Sequence, residues 1–417
     1  MKSLILSNSD TIGGASRAAT RLHKAFLGSD IQNRMSVGVK GSDFSMVDSF
    51  KGKLSQVLWM IRPAIGAKLM RLQKSSNPIL HSPAILPSGL ISKINNSDTD
   101  VLNLHWINME FLSIEDIARL RKPIVLTLHD MWAFCGAEHY ADDDMKARWR
   151  MGYYPDNRPD GHGGLDIDRW VWKRKLNAWR SPMQIVTPSQ WLADCVRSSK
   201  LMHDWSVTVI PNPLDTRQYQ PWSKEISREL FGLPQTVTLV LFGAIGGGKD
   251  PRKGWDLLQS ALQHISIEKP DVHCVIFGQS EPESPPCLGL PIHWLGHLND
   301  DITLSILYSA VDVTVVSSRQ ENLPQTATEA QACGCPVVAF NTTGLTDVVE
   351  HKHTGYLAEA FSVNDLAKGI LWVLADKDRH AKLSFQARQR AVSLWSDEVV
   401  VPQYMEVYKR AIHEFKN

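Results

Sequence analysis

Long apolar segments are missing from this chain of 417 residues. No stretch reaches the roughly 18 apolar residues that a membrane-spanning helix needs. The apolar run within residues 1–10 is also too short for the apolar core of a signal peptide. We therefore expect a cytoplasmic protein that does not span a membrane.

Charge of one sign and paired cysteines are missing as well. Lysine and arginine total 45 residues against 44 for aspartate and glutamate, so no general attraction to nucleic acid is expected. The cysteines show neither CxxC pairing nor the spacing of zinc ligands, and we interpret them as reduced thiols of a cytosolic protein. They are Cys135, Cys195, Cys274, Cys287, Cys333 and Cys335.

The chain does contain short apolar runs that alternate with helical patterns. Each run is bounded by turn residues, as buried parallel strands are. This alternation predicts an α/β fold with doubly wound sheets. The predicted strands include 4–6, 124–128, 185–186, 207–210, 237–242, 272–277, 311–316 and 336–340, and the predicted helices include 18–27, 114–120, 254–265 and 329–333.

The length and the proline-rich stretch 211–221 predict two Rossmann-like domains. We place the first at 1–213 and the second at 214–395, with a C-terminal helix at 396–417 that packs back on the first domain. Ligands of open α/β sheets bind at the carboxyl ends of the strands. Two such domains facing each other across a cleft would hold the chemistry between them.

Segment 317–338 carries the strongest functional pattern. A polar loop with Glu321 follows a predicted strand, and the start of a helix with Glu329 comes next. Backbone N–H groups at a helix start favour an anion, so a diphosphate can bind there. From the spacing alone, a second interpretation is equally good. Glu321 is then an ordinary exposed acid in a loop, and Glu329 is a carboxylate that stabilises the first helical turn.

This segment, with the Ala-x-Ala-Cys-Gly-Cys-Pro-Val-Val-Ala that ends it, resembles the Glu-x7-Glu signature of the retaining glycosyltransferases of family 4. The resemblance implies the GT-B fold of two Rossmann-like domains. It also implies that Glu321 contacts the donor sugar and that Glu329 binds the ribose. The loop amides would hold the diphosphate, and that loop comprises Asn322, Leu323, Pro324 and Gln325.

Segment 243–254 has two interpretations. Its outline GxxxxGK is that of a phosphate-binding P-loop, but Asp250 stands where a serine or threonine would bind magnesium. The family resemblance instead implies that Lys253 neutralises the leaving diphosphate. The family usually has an arginine about where Ala244 stands, so Arg252 or Lys249 would replace it. A basic turn without function is the alternative.

Gly13 and Gly14 follow the first predicted strand, where a tight turn lets a phosphate or a sugar approach closely. We include both in the predicted donor site, and a plain structural turn is the alternative. The pattern is not GxGxxG, and no acidic residue follows at the expected distance. Both facts argue against a nicotinamide cofactor.

His129 follows the predicted strand 124–128, so its side chain can reach a ligand at the carboxyl end of the sheet. The family position of this histidine lines the donor and acceptor site, which makes His129 a catalytic candidate. A structural role in the core is the alternative. The acceptor-side candidates are His105, Asp130 and His139.

The long span 134–175 is expected to shape the acceptor pocket. Within this span, the three aspartates at 142–144 resemble the DxD metal site of another glycosyltransferase architecture, and His139 and His162 are nearby in the sequence. We interpret 142–144 as a solvated acidic loop and expect no metal, because a GT-B site uses cations and helix N-termini instead. Four tryptophans either stack on sugars or pack helices, namely Trp149, Trp170, Trp172 and Trp179.

Span 51–97 contains no aspartate or glutamate but several lysines and arginines. Apolar residues at helical spacing accompany them, and a basic amphipathic helix can lie on anionic lipid. We therefore expect peripheral contact with the inner face of the cell membrane, near a lipid-linked acceptor. A packed helix pair with a solvated basic face is the alternative.

The sequence thus predicts a retaining glycosyltransferase, an enzyme of class EC 2.4. It would move a sugar from a UDP- or GDP-sugar to a hydroxyl of a glycan or lipid-linked glycan in polysaccharide biosynthesis, for instance of an exopolysaccharide. No cofactor is expected besides this substrate. The alternatives are a sugar-nucleotide epimerase of the same architecture, a noncatalytic nucleotide-sugar-binding relative, and a P-loop nucleotidase.

Overall fold

The computed structural model describes residues 1–49, 53–243, 246, 248 and 250–416, and between 53 and 60 it describes no side chain except that of Trp59. The chain divides into two compact units. The first consists of Met1–Asn212 with Val401–Asn417, and the second of Pro213–Val400.

The first unit is built on a seven-stranded parallel sheet with the order β3-β2-β1-β5-β6-β8-β9. Strands β4 and β7 form a separate antiparallel pair. The strands are β1 Lys2–Ser9, β2 Gln32–Val39, β3 Val47–Ser49, β4 Gln73–Lys74, β5 Val101–His105, β6 Ile124–Thr127, β7 Gly163–Gly164, β8 Gln184–Thr187 and β9 Val207–Val209. The helices are α1 Gly13–Leu27, α2 Lys53–Met70, α3 Ile91–Asn95, α4 Ile114–Ala118, α5 Arg148–Met151, α6 Ile167–Ala178 and α7 Gln190–Ser198.

The second unit is built on a six-stranded parallel sheet with the order β12-β11-β10-β13-β14-β15. The strands are β10 Thr238–Gly243, β11 Val272–Phe277, β12 Ile292–Trp294, β13 Val313–Val316, β14 Val337–Phe340 and β15 Gly355–Ala358. The helices are α8 Lys224–Leu230, α9 Trp255–Glu268, α10 Asp301–Ala310, α11 Gln325–Ala332, α12 Leu345–Val348, α13 Val363–Leu374, α14 Lys377–Trp395 and α15 Asp397–Lys416, and a 3-10 turn occupies Pro251–Lys253.

Both sheets are doubly wound, which confirms the predicted fold class. In each sheet the strand order reverses at one point, between β1 and β5 in the first and between β10 and β13 in the second. Ligands of such sheets bind outside the carboxyl ends of the strands at this switch point. The loops that follow these strands are therefore the places to look for a site.

Buried aliphatic side chains explain why these runs form central strands. All six residues of β11 except His273 are buried, and every residue of β13 and β14 is buried. Most of α15, from Val401 onward, belongs to the first unit, where Tyr408 packs on Phe26 and accepts a hydrogen bond of 2.8 Å from the amide of Asn103.

Two predicted helices begin earlier than expected. Helix α1 starts at Gly13 instead of residue 18, and α11 starts at Gln325 instead of residue 329. Neither helix has a side chain that caps its first turn, so the usual start signal is missing from the sequence.

Among the helices of the described residues, none combines the length and the apolar character that spanning a membrane requires.

Candidate functional site

The second unit gathers charged residues at its switch point. The 3-10 turn Pro251–Lys253 follows β10, and the loop 317–324 follows β13. The two segments are hydrogen-bonded to each other, because the amide of Arg319 donates to Arg252 O at 2.7 Å and the hydroxyl of Ser317 donates to Lys253 O at 3.1 Å.

Gly254 allows this close approach. It has φ 63°, a conformation that favours glycine, and an added Cβ would lie 1.9 Å from Ser317 O. A glycine is therefore required directly after Lys253. The same holds for Gly344 behind the loop, where a Cβ would lie 1.5 Å from Asn322 O.

Lys253, Arg252 and Glu321 form the charged centre of this site. Lys253 Nζ lies 2.5 Å from Glu321 Oε1, and Arg252 Nη1 lies 3.3 Å from the same oxygen. Ser318 donates a further hydrogen bond of 3.1 Å to it. Arg252 also donates to Gln320 O at 2.9 Å, which fixes the guanidinium beside the loop.

The carboxylate of Glu321 is strongly stabilised in its charged form. Burial would raise the pKa of Glu321, but the charges of Lys253 and Arg252 and the hydrogen bonds from Lys253 and Ser318 outweigh it and lower the pKa to about 2. Glu321 is therefore an anion at neutral pH, with two cations beside it. A second anion such as a diphosphate can share those cations.

Glu329 lies in α11, a turn beyond the start of the helix at Gln325. Its side chain is buried, and Tyr308 donates a hydrogen bond of 2.9 Å to Oε2. Asn322 and Leu323 are buried in the loop before the helix. The structure thus places the helix start at Gln325, beside the predicted diphosphate-binding loop, and Glu329 farther along the helix.

Part of the basic segment predicted near Ala244 cannot be placed. Ala244 and Lys249 lie outside the described residues, and so does much of the P-loop outline 243–249. Among the described residues, Asp250 Oδ1 accepts a hydrogen bond from Arg252 N at 3.0 Å, and helix α9 begins only at Trp255. Arg252 is the described cation that accompanies Lys253 at Glu321.

The first unit places its predicted residues on loops at its own switch point. Gly13 opens α1 directly after the β1 loop, with Gly14 next to it. Asp10, which no sequence pattern singled out, holds this loop to the one after β2 by accepting hydrogen bonds from Gly41 N at 2.7 Å and Ser42 N at 3.1 Å.

His105 ends β5 and His129 follows β6, so the two side chains meet. His105 Nδ1 lies 3.0 Å from His129 Nε2. Burial lowers the pKa of His129 to about 4, although the charge of Asp130 opposes this, and burial places the pKa of His105 well below its usual range. Both imidazoles are neutral at pH 7, and a neutral ring can accept a proton or a hydrogen bond.

Asp130 is held beside them by other side chains. His139 Nδ1 lies 2.6 Å from Asp130 Oδ2, and Trp106 Nε1 donates to the same oxygen at 2.9 Å. Ser82 lies 2.8 Å from the other ring nitrogen of His139. Burial would raise the pKa of Asp130, but His139 and these hydrogen bonds lower it. The predicted residues His105, His129, Asp130 and His139 therefore form one cluster.

The span 134–175 is packed only in part, because residues 134–139 are buried whereas residues 142–146 are exposed. Trp149, Trp172 and Trp179 are buried in the core, while Trp170 is 45% exposed. Asp143 pairs with Arg150, and no group of three metal-ligating side chains occurs in the described part of the chain. No sequence pattern pointed to Lys175, which is fully buried and donates to the carbonyls of Cys135 at 3.1 Å and Gly136 at 2.7 Å.

Comparison with solved structures defines the class of protein. The sucrose-phosphate synthase of Thermosynechococcus elongatus matches with a TM-score of 0.70 and 17% identity over 99% of this chain and 100% of its own. HepE from Anabaena, in complex with UDP and glucose, matches with a TM-score of 0.65 and 19% identity over 98% of this chain and 100% of its own. The lipopolysaccharide glycosyltransferase WaaG has a TM-score of 0.60. The fold is therefore GT-B, the fold of these glycosyltransferases.

Family comparison then identifies the group. Residues 246–390 match the family described as glycosyl transferases group 1, and residues 65–218 match glycosyltransferase family 4. The chain belongs to the group 1, family 4 glycosyltransferases.

The curated relatives include proteins named as glycosyltransferases. A D-inositol 3-phosphate glycosyltransferase of Gordonia bronchialis is 30% identical over 225 residues, which are 50% of this chain and 48% of the relative. An N-acetyl-alpha-D-glucosaminyl L-malate synthase of Bacillus anthracis is 28% identical over 111 residues, which are 27% of this chain and 29% of the relative. The chain spans about half the length of the first relatives it matches.

Proposed function

We propose that this chain is a retaining glycosyltransferase that moves a sugar from a nucleotide-sugar to an acceptor hydroxyl. The observation that carries the proposal is the pairing of Lys253 and Arg252 with Glu321 at the switch point of the second sheet. Cations supply here the charge neutralisation that a diphosphate leaving group needs. A metal ion is not part of the proposed site.

The donor is held mainly by the second unit. Lys253, Arg252 and the amides at the start of α11 bind the diphosphate, Glu321 binds hydroxyls of the transferred sugar, and Glu329 binds the ribose. The complexes of HepE with UDP and with UDP-glucose support a UDP-sugar donor for this chain, and a GDP-sugar is the second choice.

The acceptor is held by the first unit, through the cluster of His105, His129, Asp130 and His139. The acceptor oxygen attacks the anomeric carbon on the face from which the diphosphate leaves, and a diphosphate oxygen takes the acceptor proton. The bond from the anomeric carbon to the diphosphate breaks as the new glycosidic bond forms, so no side-chain nucleophile is needed. The sugar keeps its anomeric configuration.

The acceptor class is a glycan or lipid-linked glycan of polysaccharide biosynthesis. The name of WaaG, a glycosyltransferase of lipopolysaccharide biosynthesis, supports this class. To test the function, the protein is incubated with UDP- and GDP-sugars, with and without sugar acceptors, and the products are analysed by NMR. Transfer with retained configuration supports the proposal, whereas a new sugar-nucleotide without acceptor identifies an epimerase.

Two other outcomes of the same assay contradict the proposal. Donor binding without hydrolysis or transfer identifies a noncatalytic relative. Magnesium-dependent ATP hydrolysis without any use of a nucleotide-sugar identifies a P-loop nucleotidase.

Contact with an anionic membrane through helix α2 is a second part of the proposal. Ile61, Ile65 and Leu72 are each 45–53% exposed, and Lys68 and Arg71 lie beside them on the surface. The protein should therefore sediment with anionic liposomes at low salt. A double variant with Ile61→Ser and Ile65→Ser should bind the liposomes more weakly. Ile267→Ser, at an exposed site in the second unit, is the matched control. If the unmodified protein does not bind the liposomes, the proposed membrane contact is wrong.

A further inference from the structure

Arg319 lies two residues before Glu321, and its side chain has no role in the site proposed so far. Its guanidinium forms a two-pronged ion pair with Asp256, with Nη1 to Oδ1 at 2.8 Å and Nη2 to Oδ2 at 2.6 Å. The hydrogen bond from Arg319 is the main reason why the pKa of Asp256 is lowered. Two-pronged arginine–carboxylate pairs fix geometry better than ordinary surface ion pairs.

The same guanidinium reaches the turn that carries the cations. Arg319 Nη1 donates to Pro251 O at 2.8 Å, and the amide of Arg319 donates to Arg252 O at 2.7 Å. With the bond from Ser317 to Lys253 O, all three carbonyls of the 3-10 turn accept hydrogen bonds from the 317–319 segment. A turn of three residues has little helical structure of its own to fix it.

We propose that Arg319, held by Asp256, is a positioning residue that sets Arg252 and Lys253 at the right distance from Glu321 to bind a diphosphate. This inference rests on the proposed function of the same site. Arg319 acts through the turn and does not touch the ligand. A carboxylate such as Asp256 does not itself attract a phosphate. In this proposal Asp256 favours phosphate binding indirectly, because it holds the Arg319 side chain in place.

The sign of the Asp256 effect separates positioning from direct contact. If Arg319 bound the diphosphate itself, Asp256→Asn would remove a nearby negative charge and leave binding unchanged or tighter. If Arg319 positions the turn, Asp256→Asn loosens it and weakens binding. The test is isothermal titration of UDP and GDP into the full chain with Asp256→Asn, Arg319→Met and both substitutions together.

We expect Arg319→Met to weaken binding of the diphosphate about tenfold, Asp256→Asn to weaken it severalfold, and the double variant to resemble Arg319→Met, because the two residues act through one contact. UMP should bind the single variants and the unmodified protein more nearly equally, since it lacks the second phosphate. Arg197→Met with Asp194→Asn, a surface pair on α7, is the control and should change nothing.

Three results overturn the inference. The first is that Arg319→Met binds UDP and GDP as tightly as the unmodified protein. The second is that Arg319→Met weakens binding while Asp256→Asn leaves it unchanged or tightens it. If the unmodified protein binds neither UDP nor GDP, the proposed function falls and this inference falls with it. Arg319→Lys, which keeps the charge without the fork, replaces Arg319→Met if that variant does not fold.

Discussion

Lys253 and Glu321 are 68 positions apart in the chain, yet Lys253 Nζ lies 2.5 Å from Glu321 Oε1. The pair forms because the two residues follow β10 and β13, the strands that flank the switch point of the second sheet. Cations and a fixed carboxylate are thus organised before any ligand binds. Such preorganised charge is the property that a site for a diphosphate leaving group requires.

Removing either member of this pair should cost activity. We expect Glu321→Ala and Lys253→Ala each to lower the rate of sugar transfer by about 100-fold or more, the scale of a lost transition-state contact. Steady-state kinetics with the active donor measures this. Glu268→Ala and Lys269→Ala, at the far end of α9, are the matched controls, and near-normal turnover of either site variant would refute its assigned role.

Gly254 should tolerate no side chain. Gly254→Ala would place a methyl group 1.9 Å from Ser317 O and so push the cation-bearing turn away from the loop. Gly232→Ala is the matched control, because Gly232 has nearly the same φ of 62° with open space around it. We expect Gly232→Ala to cost about 1 kcal/mol of unfolding free energy and Gly254→Ala to cost clearly more and to weaken donor binding. Equal losses of unfolding free energy in the two variants would contradict the close approach of Gly254 to Ser317 O.

The charge of Glu321 should make its contribution to stability depend on pH. Its pKa in the folded protein is about 2, below the usual 4.5, so the stabilisation is complete above about pH 4.5 and is lost as the pH falls toward 2. The shift corresponds to about 3 kcal/mol. Urea unfolding of the protein and of Glu321→Gln at pH 6 and pH 3 measures it. The difference in unfolding free energy between the two proteins should be smaller at pH 3 than at pH 6. An equal difference at both pH values would show that Lys253 and Arg252 do not lower the pKa of Glu321.

His129 should remain neutral through the physiological range. Burial lowers its pKa to about 4, so its imidazole signals in an NMR titration should shift near pH 4 and stay constant between pH 6 and 8. Loss of one set of signals in His129→Gln assigns them. A midpoint near 6.5 would mean that the ring is solvated and does not lie in the buried cluster with His105.

The sequence predicted those features of the fold and the site that depend on local pattern. The apolar runs identified central strands, and the family resemblance selected Glu321, Glu329, Lys253 and Arg252. Partners chosen by the tertiary fold could not be found this way. Tyr308 meets Glu329, and Arg319 meets Asp256, only because helices and loops distant in sequence converge at one sheet edge. The start of α11 was missed because no side chain caps it.

Titration of nucleotide-sugars into the protein tests the central claim most directly. A set of UDP-, GDP- and ADP-sugars is added to the unmodified protein, to Lys253→Ala and to Lys269→Ala, and the affinity is measured by calorimetry. We predict that at least one UDP- or GDP-sugar binds, that Lys253→Ala weakens it by about tenfold or more, and that Lys269→Ala binds it normally. Binding of no nucleotide-sugar, or equal affinity in Lys253→Ala, would contradict the account.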